Sequence, residues 1–133
     1  MKKSSAIPLG AIIGLLSFAS CAKEKQEMEC VSYTTAQVTE VTGPNSVPVN
    51  QETGLTVFYY LTNGCGKFEN MEAISGGNTT IISFKAKYEG CVCTDNLVTR
   101  QSVYEFKSGQ PGVYYLKFLQ PNNTYLTDTI TVN

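Results

Sequence analysis

Five cysteines, Cys21, Cys30, Cys65, Cys91 and Cys93, are the residues of this 133-residue chain best equipped for chemistry. A cysteine thiol accepts an acyl or alkyl group, closes a disulfide or, as thiolate, ligates a soft ion such as zinc or cuprous copper. The chain has no histidine. That removes the Ser-His-Asp and Cys-His nucleophilic systems, histidine zinc sites and the commonest general base. Carboxylate-pair chemistry needs no imidazole, but Glu69, Glu72, Glu89, Asp95, Glu105 and Asp128 form no recognisable motif and read as surface charge. No Gly-rich phosphate loop and no Cys-x-x-Cys knuckle is present. A net charge of -1 and a pI near 5.4, with Lys and Arg scattered, provide no field for nucleic acid. The expectation is a protein that is not an enzyme, carries no cofactor or metal and does not bind nucleic acid.

The first cysteine belongs to the head of the chain. Lys2 and Lys3 followed by an apolar run from Ala6 to Ala19 have the layout of a secretory signal peptide. The run falls short of the about 20 apolar residues that span a bilayer. Ala19-Ser20-Cys21, followed by the polar Ala22-Lys23-Glu24-Lys25-Gln26-Glu27, resembles a bacterial lipobox, with Phe18 standing where that pattern has an aliphatic residue. The resemblance implies that residues 1–20 are cleaved as a lipoprotein signal peptide and that Cys21 carries a diacylglycerol, with a further acyl chain on its new amino group. Residues 21–29 then tether the chain to a membrane, and several acyl chains make that anchor stable. Ala22, in place of the aspartate that holds enteric lipoproteins in the inner membrane, implies the outer membrane. The Lys/Glu mixture resembles the short export signal of surface lipoproteins in Bacteroidota, and the choice between periplasmic side and cell surface stays open.

The remaining cysteines are positioned by strands. Once the signal is removed about 112 residues are left, enough for one domain with one core. Val, Thr and Tyr are enriched from Val31 to Val41, which predicts a first strand. Gly54 to Thr62 predicts a second, apolar on both faces, with Leu55, Val57, Tyr59 and Leu61 on one side and Phe58 and Tyr60 on the other. The second face is either partly covered or an exposed aromatic strip. Lys67 to Ile74 predicts a less regular strand, and Thr80, Ile82, Phe84, Ala86 and Tyr88 alternate with Thr79, Ile81, Ser83, Lys85 and Lys87 in the cleanest period-two pattern of the chain. Thr99 to Lys107, Val113 to Leu119 and Tyr125 to Val132 complete seven strands, separated by turns such as Gln110-Pro111-Gly112 and Pro121-Asn122-Asn123. No helix is predicted after the signal. Seven short strands in about a hundred residues make an all-β, antiparallel two-sheet sandwich over residues 30–133.

Gly112-Val113-Tyr114-Tyr115-Leu116 resembles the immunoglobulin-like superfamily, in its wider, fibronectin-like form, because Leu116 stands where antibody domains have cysteine and the chain has no tryptophan. The resemblance implies that Tyr114 is a structural tyrosine corner, its hydroxyl tied to upstream backbone. Small envelope lipoproteins of Bacteroidota are similar at the lipobox and the C-terminal hairpin, which implies location and fold and no activity.

If successive strands run up and down, Cys30, Cys65 and the Cys91/Cys93 pair all lie at one end of the sandwich. An even number of cysteines in an exported domain favours bridges. Cys30 and Cys65 then join Cys91 and Cys93 in an order the sequence leaves open, since a Cys91–Cys93 bridge across one residue would be strained. A four-thiolate metal site is the alternative. The opposite end presents the loops 43–53, 75–78 and 108–112, where binding is expected on a rigid scaffold. Asn78-Thr79-Thr80 and Asn122-Asn123-Thr124 match a glycosylation sequon and Asp128-Thr129-Ile130 resembles a Bacteroidota O-glycosylation motif, patterns too short to carry an argument. The expected role is that of an outer-membrane lipoprotein acting as an accessory or binding module, its partner an envelope protein or a glycan. The alternatives are a metal- or redox-handling envelope protein using the cysteine cluster, and an inhibitor that offers loops to a protease.

Overall fold

In the computed structural model, described for residues 29–133, nine strands form two sheets, and no helix occurs among the described residues. They are β1 Val31–Thr35, β2 Gln37–Thr42, β3 Ser46–Val47, β4 Thr53–Leu61, β5 Gly66–Gly76, β6 Thr79–Glu89, β7 Val98–Phe106, β8 Gly112–Leu119 and β9 Tyr125–Val132. The larger sheet contains β5, β6, β8, β9 and β3 in that order, with β1 beside β6; the smaller has the order β2-β4-β7.

Nine strands replace the seven expected because the 31–41 stretch divides. β1 pairs with β6 in the larger sheet, Thr35 opposite Lys85, whereas β2 pairs with β4 in the smaller one, Gln37 opposite Tyr60. Ala36 is the crossing point: it is buried between the layers and its amide donates to the Phe84 carbonyl at 2.8 Å. A methyl side chain suits a place where the backbone itself passes between sheets. The other addition is β3, two residues between Pro44 and Pro48.

The sandwich is also not purely antiparallel. Of its seven ladders, β3–β9 and β6–β8 are parallel. The far edge of β6 is shared: β1 occupies its second half, Lys85 to Glu89, and β8 its first, Thr79 to Ile82. β1 stops where it does because the chain leaves for the other sheet at Ala36, and β8 takes the edge thus vacated.

The period-two pattern turns into the core directly. Ile82, Phe84, Ala86 and Tyr88 of β6 face Leu55, Val57, Tyr59 and Leu61 of β4, and all eight are buried. Phe84 sits in the middle, its ring centroid 5.3 Å from Tyr59, 6.1 Å from Phe68 and 6.3 Å from Phe118. The outer face of β4 is half-buried, with Phe58 flanked by Glu40 and Gln101 of the neighbouring strands. β5 behaves otherwise. It is an edge strand of 11 residues, exposed nearly throughout, because the smaller sheet is three strands wide and ends before covering it.

Candidate functional site

The strand order carries the cysteines to one pole. β4 ends there and β5 begins there, with Cys65 in the turn between them; β6 ends there, followed by Cys91 and Cys93; and Cys30 lies just before β1. Two disulfides form, Cys30–Cys91 and Cys65–Cys93, with Cα atoms 5.0 and 5.4 Å apart. With all four sulfurs bridged, the four-thiolate metal site has no ligands left. The backbone around them is ordered by short-range bonds: the Gly90 amide donates to the Cys30 carbonyl at 2.9 Å, the Gly64 amide to the Thr94 carbonyl at 3.0 Å, and the Cys65 amide to Asn63 Oδ1 at 2.9 Å. Gly90 has a φ of 136°, and a Cβ on it would lie 2.9 Å from the Cys65 sulfur. Only glycine meets both conditions.

Sequence reasoning missed a second clasp at this pole. The Tyr88 hydroxyl accepts the Thr62 amide at 2.9 Å, joining the end of the larger sheet to the end of the smaller one. The signal was a tyrosine at the last inward position of a strand, where an apolar ring is buried and a hydroxyl still reaches a polar group. Nearby, the outward Lys87 and Glu89 pair. That contact lowers the Glu89 carboxyl pKa and raises that of Lys87, the hydrogen bond between them being the main cause of each.

The opposite pole gathers the loops 43–53, 75–78 and 108–112. Between the sheets there, an open cleft of about 380 Å³ is lined by hydroxyls, Ser75, Thr80, Tyr104, Ser108 and Tyr114, with Glu105 and Lys107 also on its wall. The hydroxyls form two relays. Ser75 Oγ and Thr80 Oγ1 are 2.9 Å apart, and Thr80 bonds in turn to Tyr104, whose pKa is raised by burial against the opposing effect of that hydrogen bond. In the second relay, Ser108 Oγ donates to the Tyr114 hydroxyl at 2.6 Å, and Tyr114 donates to the Gln110 carbonyl at 2.8 Å. Tyr114 thus binds backbone four residues upstream and packs edge-on against Phe106 at 5.5 Å. Gly112, with a φ of 149°, makes the turn that brings it back.

The sequence places Tyr104 within the Thr99 to Lys107 strand but does not show its relay. Periodicity gives the face of a side chain, whereas the partner comes from the other sheet. Beneath this pole lies a further polar group: Thr53 Oγ1 is buried and has no hydrogen-bond partner. A third feature sits at the side of the sandwich. The Gln120 side-chain amide binds both backbone groups of Val38, at 3.1 and 2.9 Å, beside the bulge in β2. The expected signal peptide, Cys21 and residues 21–28 of the expected tether lie outside the described residues.

No curated protein and no solved structure matches this chain. A family of β-sandwich domains does. Its match covers residues 55–132, more than half of the chain, and includes Cys65, Cys91, Cys93, Tyr104 and Tyr114. The chain therefore belongs to the ORF11 beta-sandwich domain family.

Proposed function

We propose that this protein is a lipid-anchored, non-enzymatic binding module of the bacterial outer membrane, held by Cys21 and presenting its hydroxyl-lined pole to a partner in the envelope, protein or glycan. The observation that carries this reading is the opposition of the two poles. The described chain enters at the disulfide pole, where Cys30 bonds to Cys91, and the three loops and the cleft lie at the far end. A tether attached at one end of a cross-linked rod points its other end away from the membrane. The missing imidazole and the bridged thiols support a role in binding rather than turnover.

Two measurements test it. Mass spectrometry of the mature N-terminal peptide is expected to find Cys21 acylated, and an unmodified Cys21 would remove the anchor. Photo-crosslinkers placed on intact cells at Gln110, in the far loop, and at Asp95, at the disulfide pole, are expected to give specific adducts from the first position and few from the second. Equal adducts from both would overturn the assignment of the binding pole. Protease shaving of intact against disrupted cells then decides between the surface and the periplasmic face. A four-thiolate metal role requires free thiols, so thiol titration of the denatured, unreduced protein separates it: no reactive thiol is expected from these four cysteines.

A further inference from the structure

We propose that the disulfide pole is a membrane-contact surface, and that the loop of residues 90–97 rests on phospholipid with Val92 and Leu97 in the headgroup region. The inference rests on the reading of Cys21 as the lipid-bearing residue and adds a defined orientation to it.

Val92 is 93 % exposed and Leu97 66 %, two large aliphatic side chains left in water on one eight-residue loop. Apolar side chains on a mobile loop fold back and cover one another. Val92 is denied this, because both its neighbours are bridged to different places: Cys91 to Cys30 ahead of β1, and Cys93 to Cys65 ahead of β5. The loop is further tied by the bond from the Gly64 amide to the Thr94 carbonyl. The covalent frame therefore restrains Val92 in its exposed position, so little further ordering has to be supplied when it meets a surface.

The chain outside the described residues says what that surface is. Cys30 is the residue bonded to Cys91, and Cys21 precedes it by nine residues. Nine residues span at most about 30 Å when fully extended. A lipid on Cys21 lies within its leaflet, so this pole is the part of the sandwich nearest the point of attachment. Two aliphatic side chains are too few to recruit a free domain to a bilayer. A tether that short puts the loop at an effective concentration of about millimolar, where weak contacts suffice to choose an orientation. Charges near the pole are mixed, Lys67 and Lys87 against Glu89 and Asp95, so the contact does not depend on anionic lipid.

The chain contains no tryptophan, so a single introduced indole reports alone. The experiment uses the full mature protein reconstituted in phosphatidylcholine vesicles, with and without bromine at a shallow acyl position, carrying V92W, L97W or I74W. Ile74 is 72 % exposed on β5, toward the far pole, and serves as the reference. The expected result is blue-shifted emission quenched by brominated lipid for V92W and L97W, with I74W unshifted and unquenched. The anchor is checked on the same samples by intact mass. Acylated protein whose V92W behaves as I74W does would overturn the contact surface and leave the anchor standing; unacylated Cys21 would overturn both. A blue shift without bromine quenching would mean that Val92 meets protein, and it too would overturn the proposal. Because the substituted positions are exposed, the three variants are expected to keep the far-ultraviolet spectrum of the parent.

Discussion

The two ends of this sandwich are held together by different chemistry. At the disulfide pole the ends of β4, β5 and β6 and the start of β1 are joined covalently, and glycine stands where a side chain would strike sulfur. At the far pole the corresponding work falls to hydroxyls: the Tyr114 bond to Gln110, the Ser108 bond to Tyr114 and the Thr80 relay. A covalent clamp limits the unfolded chain whatever the solvent, whereas a hydroxyl relay contributes only the difference between its own bonds and those to water. The stapled end thus suits the attachment proposed for it, and the hydroxyl-lined end the proposed binding, since its polar groups can exchange their bonds for others.

This contrast is open to direct attack by mutation, beginning where the effect is largest. Removing the Cys30–Cys91 bridge with the double alanine variant is expected to cost about 4 kcal/mol in urea unfolding, because the loop it closes spans 61 residues. Removing Cys65–Cys93, across 28 residues, is expected to cost about 3.5 kcal/mol by the same relation. At the far pole, Tyr114→Phe keeps the ring against Phe106 and deletes two hydrogen bonds, for an expected loss of about 1.5 kcal/mol. The smallest effect has the opposite sign. Thr53→Val replaces a buried hydroxyl that has no partner and is expected to stabilise the domain by about 1 kcal/mol in the same assay. If Tyr114→Phe cost as much as either bridge, the division between a covalent and a hydrogen-bonded pole would fail. If Thr53→Val were destabilising, the hydroxyl would have a partner at that end, and the far pole would be more tightly bonded than described.

The parts legible in the sequence were those decided locally. Alternation along β4 and β6 put Leu55 and Val57, and Ile82 and Phe84, on shared faces without reference to any other strand, and those faces are buried. The gathering of four cysteines at one end followed from counting strand reversals. What was not legible depended on the other sheet. Val31 to Val41 reads as one strand because nothing in its composition marks Ala36, and the division is imposed by the Phe84 carbonyl on one side and β4 on the other. Parallel pairing of β6 with β8 leaves no trace in either segment, since it follows from the edge that β1 abandons. The irregularity of Lys67 to Ile74 was visible, but its cause was not: β5 overhangs a narrower sheet and so is under little pressure to alternate. The pairing of sulfurs was open for the same reason, as was the meeting of Thr80 with Tyr104 from different sheets.

The connectivity of the bridges bears on how the protein is made. Cys65 lies inside the span closed by Cys30 and Cys91, and its own partner, Cys93, lies outside it, so the two links cross. For a chain that meets an oxidant N-terminus first, Cys30 and Cys65 appear before either of their partners, and a bond between them is non-native. The native links become available only when residues 91 to 93 have emerged and β6 has delivered them to the pole. Maturation then requires either oxidation that waits for the sheet or reshuffling by thiolate attack on a mispaired bond, a process of seconds to hours that isomerases accelerate. In any host that oxidises the chain, the yield of folded protein should accordingly track the capacity to correct disulfides rather than the capacity to form them.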